Sequence, residues 1–303
     1  MIAWIVRWCV GLLAAASACS FRLPASAPAG GDALAPPEGG DAIGPCVEKW
    51  LAGPSFAPTV ELAALNTGTP ENDVFVTADE RTLYFARSGD IYVATRLAPT
   101  DDFAVYAFDS LLSSPQLDSK LSLTADGLTV YLNTNRPDGA DTDVLRGTRA
   151  AVGTAFTFST TFLGAVDTGG NQWDPEISAD ELRLYLAPDD TGTQHIAVAE
   201  RTSASADFGA PAIIPELASD TTDNDPTVSA DERVIVFASN RGERGLWYAT
   251  RADRTQLFSA PQELVTVNSS KSDDGPHLTA DACHLYFSSA RNGSDDLYVA
   301  ALE

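Results

Sequence analysis

Acidic and basic side chains recur in this sequence at fixed distances from a repeated Ser/Thr-Ala-Asp tripeptide, and that regularity is where chemistry could be assembled. The aspartates of the tripeptide are Asp79, Asp126, Asp180, Asp231 and Asp281. Eight residues before them stand Glu71, Asp118, Gln172, Asp223 and Asp273. Six before stand Asp73, Lys120, Asp174, Asp225 and Gly275. Downstream lie Arg87, Arg136, Arg241 and Arg291, whereas Asp189 and Asp190 hold that place in the third copy, beside Trp173. If these columns share one face, a ring of acids lies next to a broken ring of arginines. Carboxylate and guanidinium then brace each other through charge-assisted hydrogen bonds. A cation or ligand site is the sharper expectation, centred on the third copy, where Asp189 and Asp190 replace the arginine. Oxygen-rich loops suit calcium, the one cofactor these residues suggest.

Catalytic motifs are missing from the sequence. There is no G-x-S-x-G elbow, no H-E-x-x-H, no C-x-x-C and no G-x-G-x-x-G. The three histidines, His195, His277 and His284, sit at non-equivalent places in the repeat. A binding or scaffold protein is therefore expected, with one loop face presented to a protein or glycan partner. The alternative is a carbohydrate-active enzyme or lectin-like module, since glycosidases need only two well-placed carboxylates.

The net charge of −23 repels phosphate backbones, which argues against nucleic acid as a partner. Composition, 44% hydrophobic and 20% charged, is that of a globular chain. A monomer is the expected state.

The elements that must position these residues follow from the repeat itself. Five segments align, with successive aspartates 47, 54, 51 and 50 residues apart. Each reads as a short strand, a tight turn in which the aspartate caps its own backbone, an unbroken apolar run such as "VIVF", a Gly/Asn/Arg loop, and a third strand such as "LWYAT". A more variable stretch with Phe and often Ala-Pro supplies a fourth, outer strand. The apolar runs do not alternate, so both faces are covered. Four antiparallel strands recurring at this period predict an all-β fold, a five-bladed β-propeller. The last unit stops after its third strand. "SFAPTVELAALN" at 55–66 matches "LFSAPQELVTVN" at 257–268. The N-terminal segment is thus expected to supply the outer strand of the last blade and close the ring. Cys46 precedes that strand and Cys283 lies in the turn of the same blade, so a disulfide between them would staple the closure.

The pattern P-x-x-S-A-D-x-x-x-L-Y-F…D-L-Y-V-A resembles the TolB-type, WD40-like Pro-Asp β-propeller repeat of exported bacterial proteins. The resemblance covers about residues 55–303 and implies the fold; these propellers serve many roles. Ahead of the propeller, residues 1–18 carry Arg7, an apolar run and Ala16-Ser17-Ala18, the marks of a signal peptide. "ASAC" resembles the bacterial lipobox, which implies lipidation at Cys19 and a lipoprotein of the cell envelope, in the outer membrane or periplasm. Without that lipid the protein is secreted. Residues 19–45 are rich in Pro, Ala and Gly and read as a disordered tether. The propeller domain then occupies 46–303, and the lipid is its sole link to a membrane.

Overall fold

The computed structural model describes residues 44–136, 141–189 and 192–303. The expected signal peptide, Cys19 and all but the last two residues of the expected tether lie outside the described residues.

After a short helix α1 (Val47–Ala52) and a two-residue strand β1 (Val60–Glu61), the chain forms five four-stranded antiparallel sheets. Blade 1 contains β2 (Glu71–Val76), β3 (Thr82–Arg87), β4 (Asp90–Thr95) and β5 (Tyr106–Phe108). Blade 2 contains β6 (Asp118–Leu123), β7 (Thr129–Thr134), β8 (Asp143–Thr148) and β9 (Thr157–Phe158). Blade 3 contains β10 (Gln172–Ile177), β11 (Arg183–Pro188), β12 (Ala197–Glu200) and β13 (Ala212–Ile213). Blade 4 contains β14 (Asp223–Val228), β15 (Val234–Ser239), β16 (Gly245–Thr250) and β17 (Gln262–Glu263). Blade 5 is built from β18 (Asp273–Leu278), β19 (His284–Ser289) and β20 (Asp296–Ala301), with β1 as its outer strand. The inner strands touch in the cyclic order β2, β6, β10, β14, β18 and back to β2, so the ring is closed.

The apolar runs form the second strand of each blade and are buried on both faces; all six residues of β15 are buried. The core is divided into five clusters, each filling the gap between two neighbouring blades. Phe85, for instance, lies in a cluster shared with Tyr286 of blade 5. An isolated blade would expose both of these faces, which is the physical reason for the repeat.

Each repeat tripeptide closes one turn in the same way. In blade 1 Thr77 donates its hydroxyl to Asp79 (2.7 Å), and Asp79 accepts the N–H of Arg81 (3.1 Å). The residue after each aspartate is left-handed: Glu80, Gly127, Glu181, Glu232 and Ala282, at φ 52–67°. Its carbonyl is then claimed by an arginine beyond the third strand. Arg96, Arg149, Arg201 and Arg251 donate Nε–H to the carbonyls of Glu80, Gly127, Glu181 and Glu232 at 2.6–2.7 Å. Each guanidinium also lies 4.2–4.4 Å from the ring of Phe103, Phe156, Phe208 or Phe258 on the outer segment. The Phe of the variable stretch is thereby explained as the platform for this cation.

Blade 5 lacks the arginine, because Leu302 stands in its position. The orphaned carbonyl of Ala282 is taken by the indole N–H of Trp50, from α1, at 2.9 Å. Trp50 packs edge-on against Phe56, 5.3 Å away, and Phe56 bridges Leu302. The helix thus substitutes for the missing side chain. Trp50→Phe keeps the packing but removes the donor, leaving a buried carbonyl unsatisfied. A loss of about 1–3 kcal/mol is expected in urea denaturation, with an unchanged m-value.

Closure from both chain ends is as expected, with a shorter pairing. Of residues 55–66, Val60 and Glu61 pair with Val299 and Tyr298, and Phe56 forms a lone bridge. Cys46 and Cys283 are disulfide-bonded.

Candidate functional site: an acidic cup on the propeller axis

The first residue of each inner strand points between blades and is fully buried. Glu71, Asp118, Asp223 and Asp273 pair there with Arg87, Arg136, Arg241 and Arg291 of their own blades at 2.7–3.1 Å. The same arginines reach the carbonyls of Leu65, Leu112, Leu217 and Val267, in the connection arriving from the previous blade. Each pair therefore ties its blade to the incoming chain. In blade 3 both partners change together. Gln172 replaces the acid and bonds Thr168 and Gly170. Asp189 instead accepts Asn171 through its backbone and side-chain N–H groups, at 2.9 Å each. Asp190 lies outside the described residues.

Two residues further along, each inner strand breaks its ladder. The register shifts between Asn72 and Phe75, Asp118 and Leu121, Trp173 and Glu176, Asn224 and Thr227, and Asp274 and His277. In four blades the residue inside the bulge is left-handed: Asp73, Asp174, Asp225 and Gly275, at φ 52–61°. Such a conformation costs an aspartate roughly 1 kcal/mol or more. Pro175, Pro226 and Pro276 follow, where the ladder needs no N–H. A Cβ on Gly275 would stand 3.1 Å from the backbone of Asp73, so a side chain there would press on the neighbouring strand.

The bulges turn Asp73, Asp174 and Asp225 onto the axis, where one oxygen of each lies within 4.8 Å of the others. Lys120, from the same column in blade 2, reaches across the axis to Asp225 at 3.2 Å and to the carbonyl of Pro276 at 3.4 Å. It is 2% exposed. Asp174 accepts the backbone N–H of Asp225 at 3.2 Å. Arg244 forks onto Asp274 at 2.5 and 2.9 Å and also bonds Asn224. The four aspartates, Asn224 and Arg244 line a cavity of about 170 Å³, with Trp173, Gln194 and Asp295 completing its wall. The indole N–H of Trp173 lies 3.4 Å from Asp189.

The shared site splits the carboxylates by protonation. Burial and the charge of Asp225 push Asp73 up to about 7. The same two causes hold Asp174 well above the usual carboxylate range. Asp225 is buried as well, yet Lys120 and Arg244 outweigh that and keep its carboxyl below its ordinary value. One carboxylate is thus favoured as an anion, while its two neighbours hold their protons more tightly than usual.

Beneath the cup a second layer shuts the axis. Glu176 accepts the hydroxyls of Ser122 (3.0 Å) and Thr227 (3.2 Å), and burial pushes it up to about 7. His277 donates Nε2–H to the carbonyl of Val76 at 3.0 Å and packs against Phe75 with the rings tilted by 49° and their centroids 4.5 Å apart. Burial lowers it to about 3, so it is neutral. Below this layer an apolar mouth of about 100 Å³ opens among the alanines of the turns.

Of the residues singled out in the sequence, the cup gathers Asp73, Asp174, Asp225 and Trp173. It leaves Asp118, Asp223, Asp273, Arg136, Arg241 and Arg291 in the bracing of the blades. Asn72, Gln194, Asn224, Arg244, Asp274 and Asp295 are additions. Gln194, Arg244 and Asp295 share a signal: each stands just before a third strand, and its carbonyl receives the first N–H of the next inner strand. Unequal loop lengths hide that column in the sequence.

Comparison with solved structures places this architecture. A putative TolB from Agrobacterium tumefaciens superposes with a TM-score of 0.50 at 13% identity, covering 76% of each chain. The fold is a TolB-like β-propeller. The catalytic domain of a GH62 α-L-arabinofuranosidase from Coprinopsis cinerea gives a TM-score of 0.54 at 11% identity, over 77% of this chain and 91% of that one. A gluconolactonase from Xanthomonas campestris gives 0.52 at 12% identity, over 84% and 92%. These likenesses concern the propeller fold alone. No protein-family model matches the sequence. No curated protein matches it either.

Proposed function

We propose that this propeller is a non-enzymatic binding module of the bacterial cell envelope that seats a sugar residue of a glycan partner in its axial cup. The observation that carries the reading is the wall of the cup: amides, carboxylates and a guanidinium converge there with one indole. Such a set can donate to and accept from a ring of hydroxyls, and an indole offers a face to the C–H surface of a sugar. Two structures of similar fold, the arabinofuranosidase and the gluconolactonase, are enzymes of carbohydrate chemistry. The Cys46–Cys283 bridge agrees with an oxidising compartment, and lipidation at Cys19 would keep the module at the envelope.

Binding is measured on a glycan array and by calorimetry against the best ligand found. Trp173→Ala or Asn224→Ala is expected to weaken it by about 1–2 kcal/mol, roughly five- to thirtyfold in affinity. Unchanged affinity in both variants would remove the cup from consideration.

A glycosidase is the second reading, favoured by the side-by-side Asp174 and Asp225, one held well above the usual carboxylate range and one below it. Paired carboxyls of opposed protonation are the mark of acid–base catalysis. Against it, Asp225 is already engaged by Lys120. Release of reducing sugar that Asp174→Asn abolishes would establish the enzyme; binding with no release establishes the module.

A further inference from the structure

A second set of side chains converges at the turn end of the ring, away from the cup, on the seam between blades 5 and 1. Glu80 is the left-handed residue of the blade 1 turn. Asp281 caps the blade 5 turn, and His284 opens β19. One ligating atom from each lies within 4.8 Å of the other two. His284 Nδ1 is shielded from solvent and has no hydrogen-bond partner among the described residues. Its nearest charged neighbour is Glu80 Oε2, at 3.5 Å.

The seam between blades 3 and 4 fills the equivalent place with a different pair. Arg183 stands three residues past its turn aspartate, as His284 does, and forks onto Glu232 of the next blade at 2.5 and 2.6 Å. A guanidinium is long enough to close that contact by itself. The shorter imidazole leaves a gap too wide for a sound hydrogen bond. Bonds of about 2.0–2.2 Å to nitrogen and oxygen around a tetrahedral zinc ion set its ligands roughly 3.3–3.5 Å apart, which is the width of the gap. An imidazole with two carboxylates suits a borderline cation such as zinc; calcium prefers an all-oxygen shell. The side chain of Glu80 is 13% exposed and that of His284 39%, which leaves an entry path from solvent. Arg96, 3.3 Å from Glu80, opposes a cation there. It is, however, held to its own blade by the Glu80 carbonyl and by Phe103.

We propose that Glu80, Asp281 and His284 form a zinc site that clamps blade 5 to blade 1. The chelator-stripped full chain is titrated with zinc ions alone, by calorimetry and by thermal melting. One equivalent per chain with micromolar affinity is expected, raising the melting temperature by about 5 °C. His284→Ala and Glu80→Gln each lose at least tenfold in affinity and most of that rise, while melting like the parent in chelator. Asp174→Asn, in the cup, retains the zinc affinity. A parent protein with no saturable equivalent overturns the proposal. So does His284→Ala binding as the parent does, or Asp174→Asn losing the zinc.

Discussion

Lys120→Met is expected to destabilise the propeller by about 3–5 kcal/mol at pH 8. The lysine is 2% exposed and is the only cation that the fold extends across the axis toward Asp225 among the described residues. Without it, Asp225 remains ionised in a buried layer beside Asp73 and Asp174. The loss should shrink as the pH falls. Asp73 and Glu176 have folded-state values raised to about 7. A raised carboxyl binds its proton more tightly in the folded chain, so its contribution is complete below the unfolded value near 4 and is lost as pH rises through about 7. Lys120 is itself raised by Asp225 and other carboxylates against its burial, so its charge persists across this range. At pH 5 the gap between variant and parent should fall to less than half its size at pH 8, followed by urea denaturation. Adding Asp225→Asn to the variant should recover part of the stability, because it removes a buried charge that Arg244, 3.6 Å away, is left to balance alone. A gap independent of pH would show that Lys120 acts by packing alone.

The second large effect concerns ring closure. Cys46 and Cys283 are 237 residues apart in sequence. Constraining so long a loop in the unfolded chain is worth about 5 kcal/mol by loop entropy. Cys283→Ser should therefore lower stability by about 3–5 kcal/mol. Reduction of the parent should do the same and leave the variant unaffected. The loss should be greatest at the seam. Hydrogen exchange at Leu302, whose N–H bonds the carbonyl of Cys283, should rise by more than exchange in β15. Equal stability of parent and variant would mean that α1 and β1 hold the ring without the bridge.

How far such features were legible follows from what each one depends on. The blades, their order and the closing segment depend on local pattern repeated at fixed spacing. "SFAPTVELAALN" could be matched to "LFSAPQELVTVN" by eye, and its strand is where the match places it. The disulfide followed from that placement. The cup was legible in one column only. Alternation would send Asp73 and Asn72 to opposite faces of β2, but the bulge delivers both to the axis. A left-handed aspartate has no signature of its own in the sequence, although proline immediately after Asp174 and Asp225 is a trace of the broken ladder. Lys120 stood in the right column, yet its partner is two blades away. Trp50 was invisible for a different reason. Its hydrogen bond answers a carbonyl left open by Leu302, 252 positions later, and no spacing rule connects them.

Gly44, the first described residue, is pressed against the backbone of Asp281; a Cβ there would lie 2.6 Å from its carbonyl oxygen. The polypeptide therefore joins the disc from underneath, at the opposite pole from Asp73 and Trp173. A side chain at Gly44 would have to push aside the turn that the disulfide anchors, whereas the carboxylates of the cup, at the other pole, would not feel it.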